Sequence, residues 1–155
     1  MIDLRRILVP TDFSKHSDNA LAYGAAFAEK FGAELWLLHV VQDLSLFIPE
    51  AVTAAPPVAP PVEQMMAAVR EALDRTIKEH HLDRFAVRAE AREGNPFYEI
   101  IQFARANDID LIIMGTHGRT GLMHVLLGSV VEKVVRKAPC PVLTVRHPEH
   151  EFVHP

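Results

Sequence analysis

The sequence predicts an α/β protein, a three-layer sandwich in which helices cover both faces of a five-stranded parallel sheet. Apolar runs of strand length alternate with stretches of helical period along the 155 residues, and this alternation is typical of βαβ units. Runs such as "LIIM" show no alternation with polar residues, which indicates strands buried on both faces. No internal repeat is visible, so we expect one domain over residues 1–146.

The first half of the chain contains clear start and stop signals. Ser14 fits the N-cap of the alanine-rich first helix, and Gly32 fits its stop. The segment 42–61 holds five of the eleven prolines, which excludes a helix or a central strand, so we expect a long mobile connection there. The second helix has an inner face of residues four apart: Met65, Val69, Leu73 and Ile77.

The second half repeats the pattern. Asn95 and Pro96 fit the N-cap and first residue of the third helix. Its inner stripe is predicted to contain Phe97, Ile100, Ile101 and Ala104. The inner face of the fourth helix is predicted to contain Val130, Val131, Val134 and Val135. The predicted bounds are strand 5–9, helix 14–31, strand 34–41, helix 62–81, strand 85–92, a helix from 96, strand 111–114, helix 130–137 and strand 141–145.

Charge and composition exclude several classes of function. A net charge of -4 and a pI near 6.1 give no general attraction to nucleic acid or to an anionic membrane. No run approaches 18 apolar residues. Cys140 is the single cysteine, which excludes an intrachain disulfide and a Cys/His zinc motif, and we interpret it as structural. We therefore expect a cytoplasmic protein that binds neither nucleic acid nor membrane.

Four of the seven glycines lie in "GTHGRTGLMHVLLGS", which follows the predicted strand 111–114: Gly115, Gly118, Gly121 and Gly128. Ligands of open parallel sheets bind beyond the carboxyl ends of the strands. Glycines at this place let backbone N–H groups approach a phosphate. Gly128 and Ser129 open a helix whose first N–H groups favour an anion. A simpler interpretation stays open, in which the glycines only shape turns and Ser129 only caps the helix.

The spacing of Gly115, Gly118, Gly128 and Ser129 resembles the G-x2-G-x9-G-[S/T] pattern in the ATP-binding branch of the universal stress protein family. The segments "ILVPTDFS", "LLHVV", "EGNP", "DLIIMGTHGRTGL", "LLGSV" and "APCPVLTV" also resemble that family in order and spacing. The resemblance covers the chain except for the proline segment and the last ten residues. It implies a Rossmann-like sheet of the adenine nucleotide alpha hydrolase type, with strand order 3-2-1-4-5.

The resemblance also implies a ligand, which is ATP, ADP or AMP with a possible Mg²⁺. Asp12 would lie near the ribose or a phosphate-bound metal, and Val40 would meet adenine through its backbone. The other implied binding residues are Pro10, Thr11, Met114, Gly115, His117, Gly118, Gly128, Ser129 and Val130. Arg119 is a further candidate for a phosphate contact. From the residues alone, Asp12 also fits an N-cap of the first helix, Arg119 a solvated loop arginine, and His117 polar loop packing.

Other functions fit less well. A receiver domain requires an aspartate after strand three and a lysine after strand five, where this chain has Glu93, Gly94 and Arg146. An ATP-hydrolysing or phosphotransfer enzyme stays open, but the chain has no G-x4-G-K-[S/T] loop, so we assign no catalytic residue and expect slow hydrolysis at most. A module that binds no nucleotide is disfavoured by the intact glycine pattern. We interpret the protein as an ATP-binding regulator whose nucleotide-dependent conformation controls an unidentified protein partner.

Two further features concern assembly and metals. Strand five would lie at a sheet edge, and "VLTV" from Val142 to Val145 is apolar and has no proline or lysine to discourage pairing. Because many members of the family pair through this strand, the resemblance implies a homodimer. His147, His150 and His154 have a spacing that metals use, but they lie in residues 147–155, which we expect to form a flexible tail.

Overall fold

The computed structural model describes residues 1–42, 61–117 and 127–146. The predicted connection in 42–61 lies almost wholly outside the described residues, as do Gly118, Arg119, Gly121 and the three tail histidines. The described elements are β1 (Arg6–Pro10), α1 (Lys15–Phe31), β2 (Glu34–Val41), α2 (Val62–Glu79), a 3₁₀ turn (Leu82–Arg84), β3 (Val87–Glu93), α3 (Pro96–Ala106), β4 (Leu111–Gly115), α4 (Ser129–Lys137) and β5 (Val142–Val145).

The five strands form one parallel sheet in the order β3-β2-β1-β4-β5. This confirms the predicted fold class and strand order. β1 lies at the centre, with β2 on one side and β4 on the other. The chain therefore winds in opposite directions from β1, and the connections that follow β1 and β4 separate at the carboxyl edge of the sheet. Such a switch in strand order leaves a crevice at that edge.

The central strands have no polar face. Ile7, Leu8 and Val9 of β1 and Ile112 and Ile113 of β4 are fully buried. Two apolar clusters flank them, one beneath α1 and α2 and the other beneath α3 and α4. Burial on both faces explains why these strands are continuous apolar runs rather than alternating ones.

Several element ends follow the sequence signals. The Ser14 hydroxyl accepts a hydrogen bond from the Ser17 N–H as the N-cap of α1, and Gly32 ends that helix with a left-handed φ of 65°. β2 matches its predicted bounds at both ends. α2 ends earlier than predicted, because His81 takes a left-handed φ of 52° and the chain enters the 3₁₀ turn.

Two predicted helix faces need correction. Val135 was predicted to point inward but is 45% exposed, because α4 packs against the sheet through Val131 and Val134 instead. Phe103 was absent from the predicted stripe of α3 but is fully buried. Its ring meets the Trp36 ring edge-on, with ring centres 5.4 Å apart. Phe103 is therefore a central contact between α3 and the sheet.

The two edges of the sheet differ in chemistry. On β3, Arg88 pairs with Glu34, and Arg92 pairs with Glu90 and Glu99. The guanidinium of Arg88 lies over the Trp36 ring and that of Arg92 over the Phe103 ring. Charged side chains on an edge strand discourage pairing with another sheet. β5, at the other edge, has an apolar and uncharged sequence.

We predict that Phe103→Ala lowers the free energy of unfolding by about 3–5 kcal/mol, because a large buried ring is removed from a packed cluster. Tyr98→Ala is the control on the same helix. Since Tyr98 is 53% exposed, we expect this control to change stability by less than about 1 kcal/mol. Urea denaturation followed by circular dichroism measures both variants. Equal stability of the two variants would contradict the central role of Phe103.

Candidate functional site

A cleft of about 220 Å³ opens at the carboxyl edge of the sheet, between the ends of β1 and β4. Ten of the twelve predicted site residues line it: Pro10, Thr11, Asp12, Val40, Met114, Gly115, His117, Gly128, Ser129 and Val130. The other two, Gly118 and Arg119, lie outside the described residues. The structure thus brings together residues from four separate parts of the chain, and their role in binding stays a prediction.

Sequence reasoning missed several residues that line the same cleft: Ser17, Leu38, His39, Pro96, Ile100 and Val131. Leu38, Ile100 and Val131 are buried side chains that give the cleft apolar walls. The sequence could have indicated His39 and Pro96 as cleft residues, because each lies near the carboxyl end of a predicted strand. Apolar walls with a few polar groups are typical of small-molecule sites.

The loop from Thr11 to Ser14 is held by its own side chains. The Asp12 Oδ1 accepts a hydrogen bond from the Ser14 N–H at 3.0 Å, and the Thr11 Oγ1 accepts one from the Phe13 N–H at 3.0 Å. The Thr11 and Ser17 hydroxyls are also 3.1 Å apart. Since Ser14 is the N-cap of α1, Asp12 does not have that role. The half-buried Asp12 carboxylate instead lines the cleft.

The main chain of Val40 also faces the cleft. The Leu38 C=O accepts a hydrogen bond from the Thr11 N–H on the β1 side, whereas the Val41 C=O accepts one from the Gly94 N–H on the β3 side. Successive residues of a strand direct their N–H and C=O groups to opposite neighbours. The N–H and C=O of Val40 therefore point to the β1 side, beyond Pro10, where β1 has already ended.

Gly115 is required by helix packing. A Cβ at this position would lie 2.6 Å from the carbonyl oxygen of His16 in α1. The sequence suggested glycine for a sharp exit from the strand, but the close approach of α1 is the reason that the structure shows. This contact brings the rings of His16 and His117 to within 5.8 Å of each other.

The N-terminus of α4 opens into the cleft. Its N-cap is Gly128, which provides no side-chain hydrogen bond to the helix. Ser129 is the first helical residue, so the interpretation of Ser129 as the cap is wrong. The Gly128 N–H donates to the Thr116 carbonyl at 2.8 Å. This bond joins the two ends of the glycine-rich segment 115–129, which we call the glycine loop. The first N–H groups of a helix without a side-chain cap, together with its dipole, favour a bound anion.

Other candidate sites have structural explanations. Cys140 packs against the cluster beneath α3 and α4, and burial, with the nearby charge of Asp110, raises the pKa of its thiol, which lowers its reactivity. In residues 1–42, 61–117 and 127–146, no group of three or more His, Cys, Asp or Glu side chains could hold a metal. No helix in these ranges has the length and apolarity to cross a membrane.

The sequence pattern that defines the universal stress protein family matches residues 3–146. The chain belongs to this family. Universal stress protein MJ0531 of Methanocaldococcus jannaschii is 37% identical over 95% of this chain and 85% of its own length. Universal stress protein MJ0577 of the same organism is 33% identical over 92% of this chain and 94% of its own length.

Solved structures of the family have the same fold. The structure of MJ0577 superposes with a TM-score of 0.77 at 32% identity, and covers 94% of this chain and 98% of its own. A universal stress protein from Archaeoglobus fulgidus, solved in complex with dAMP, has a TM-score of 0.64 at 18% identity. It covers 93% of this chain and 98% of its own. At that identity the likeness shows the fold alone.

We predict that Gly115→Ala destabilises this family member by about 1–3 kcal/mol, because the new methyl group would overlap the His16 carbonyl and force α1 away from β4. Gly32→Asn is the control. Gly32 has open space around it and a left-handed φ of 65°, which asparagine tolerates, so its cost should be below about 1 kcal/mol. Thermal unfolding monitored by circular dichroism ranks the variants. A Gly115→Ala protein as stable as the wild type would exclude the proposed close packing.

Proposed function

We propose that this universal stress protein binds ATP, or ADP or AMP, in the cleft and acts in the cytoplasm as a nucleotide-dependent regulator. The observation that carries the proposal is the meeting of three groups at one cleft. These groups are the N-terminus of α4, the Asp12 carboxylate and the Val40 main chain. Each suits a different part of an adenine nucleotide.

The base would bind at Val40. The outer edge of adenine presents one acceptor, N1, beside one donor, the N6 amino group. A main-chain N–H and C=O from one residue match that pair, and those of Val40 point away from β3 and past the end of β1. Leu38 and Ile100 supply buried apolar surface in the same cleft, which suits the planar ring.

The phosphates would bind at the N-terminus of α4. Gly128 and Ser129 line the cleft there, and a helix N-terminus stabilises a phosphate through its N–H groups and dipole. Asp12 would hold Mg²⁺ or the ribose, since Mg²⁺ is commonly bound by one or two carboxylates together with phosphate oxygens. By resemblance, Gly118 and Arg119 would complete the phosphate site.

One consideration supports a role in binding rather than catalysis. The described cleft residues include no lysine, and we assign none of them to catalysis. Regulation would follow if nucleotide binding at Gly128 changed the conformation of the glycine loop and thereby the surface offered to a protein partner.

We expect Gly128→Val to abolish ATP binding in isothermal titration calorimetry, because the branched side chain would occupy the phosphate position at the start of α4. Lys137→Val is the control. It adds a valine at the exposed far end of the same helix and should bind ATP like the wild type. Circular dichroism of both variants should match the wild-type spectrum. Unchanged affinity in Gly128→Val, or a wild-type protein that binds no adenine nucleotide, would refute the proposal.

We also infer a homodimer that pairs through β5. The Tyr23 side chain on α1 is 48% exposed, and Val135 on α4 is 45% exposed. Tyr23 lies one turn after Asn19, which donates to the Arg146 carbonyl just beyond β5 at 2.7 Å, so this flank of α1 faces the β5 edge. Lys133 lies on the side of α4 that faces α3, because its ammonium contacts Phe97. Val135, two residues later, lies on the opposite side of the helix. Apolar side chains therefore flank the β5 edge on both faces of the sheet.

Thr144→Pro is expected to convert the dimer to a monomer. The Ile112 N–H bonds to the Pro141 carbonyl and the Thr116 N–H to the Val145 carbonyl. The main-chain N–H and C=O groups of the odd-numbered residues of β5 therefore point to β4. The N–H of Thr144 points the other way, out from the edge of the sheet. A proline there removes a donor from the dimer contact but none from the sheet itself.

Light scattering should show the mass falling from about twice 17.3 kDa to 17.3 kDa. Ala89→Pro is the control. Along β3, the N–H groups of even-numbered residues point to β2, as the bond from the Gly94 N–H shows, so the N–H of Ala89 points out from the opposite edge of the sheet. This variant should stay dimeric. A wild-type protein that is monomeric at high micromolar concentration would contradict the inference.

A further inference from the structure

We propose that His39 is a positioning residue that keeps the Val40 main chain available to the base of the nucleotide. The proposal rests on the proposed function. His39 belongs to β2 and lines the cleft one residue before Val40. It would act through the loop that follows β1 rather than through contact with the ligand.

The imidazole of His39 holds the Thr11 carbonyl. Its Nδ1 lies 2.8 Å from the Thr11 carbonyl oxygen. A carbonyl oxygen can only accept, so Nδ1 carries the proton and donates. The bond thus joins a side chain of β2 to the main chain just beyond the end of β1.

This bond takes the place of one in the sheet. In the register of β1 and β2, the Thr11 N–H donates to the Leu38 carbonyl. The next bond of a parallel ladder would run from the Val40 N–H to the Thr11 carbonyl. In the structure, the Thr11 carbonyl instead accepts a hydrogen bond from the imidazole of His39, and β1 ends at Pro10. His39 therefore gives this carbonyl a donor in the place that the Val40 N–H would take in a continued ladder.

Phe13 strengthens this arrangement. Its ring stacks on the His39 ring, with ring centres 4.6 Å apart and planes 29° apart. Phe13 has a left-handed φ of 61°, which is unusual for a bulky residue. Its N–H donates to the Thr11 hydroxyl. The imidazole thus packs on a strained turn that directly follows the Thr11 carbonyl.

The test compares ATP with inosine triphosphate, which has the same ribose and phosphates. Inosine presents a donor at N1 and an acceptor at C6, the reverse of adenine, so it cannot form both bonds with the Val40 main chain. We expect the wild-type protein to prefer ATP by at least about tenfold. The ratio of the two affinities therefore reports on the base edge alone, and a general loss of stability would not change it.

His39→Leu removes the donor at similar size, and we expect the ratio to fall to within about twofold of one. His39→Asn is the matched rescue, because its amide nitrogen takes the place of Nδ1 and can still donate to Thr11. This variant should keep most of the preference for ATP. Thermal unfolding checks that each variant is folded. If His39→Leu does not fold, His39→Gln, whose amide nitrogen takes the place of Nε2, replaces it.

The outcomes separate the two proposals. A wild-type protein that binds neither triphosphate refutes the proposed function. If the wild type binds ATP and the folded His39→Leu or His39→Gln protein keeps the full preference, only the role of His39 is refuted. Loss of the preference in a folded His39→Asn protein equal to that in His39→Leu would also refute it, because the hydrogen bond would then not be the cause.

Discussion

The burial of β1 and β4 on both faces is the constraint on which the rest of the structure depends. Strands with no polar face must be covered by helices on each side, and α1 approaches β4 so closely that Gly115 has no room for a side chain. Polar groups cannot lie within such a sheet without cost. At the carboxyl edge, where the strands end, polar residues such as Thr11, Asp12 and His117 line the cleft.

Local sequence signals predicted much of this fold. Ser14 and Gly32 marked the two ends of α1. The bounds of β2 were correct because its mainly apolar run lies between Gly32 and the polar Gln42. The strand order came from resemblance to a family, since spacing alone does not specify which strands are neighbours. Ten of the predicted site residues lie together because each belongs to a strand end or a helix start on the same edge.

The remaining features depend on tertiary contacts that the sequence does not display. Helical period places Val135 near the inner face of α4, but only the structure shows that Val131 and Val134 are the buried contacts of this helix and that Val135 is 45% exposed. The need for Gly115 arises from the His16 carbonyl, which is far away in sequence. The sequence places His39 near the end of β2, but it does not show the bond of His39 to Thr11 or its stacking on Phe13.

The charged edge at β3 has a consequence for the size of any assembly. A sheet whose two edge strands can both pair with another copy can add copies at both ends and grow into a fibre. Here β3 carries Arg88 and Arg92 in ion pairs with glutamates, so a dimer paired through β5 would have a charged strand at each of its outer edges. Addition of further copies would then be disfavoured after the first partner. In such a dimer the two arginines would limit assembly to two copies, and they would protect a protein with an apolar edge strand from open-ended aggregation.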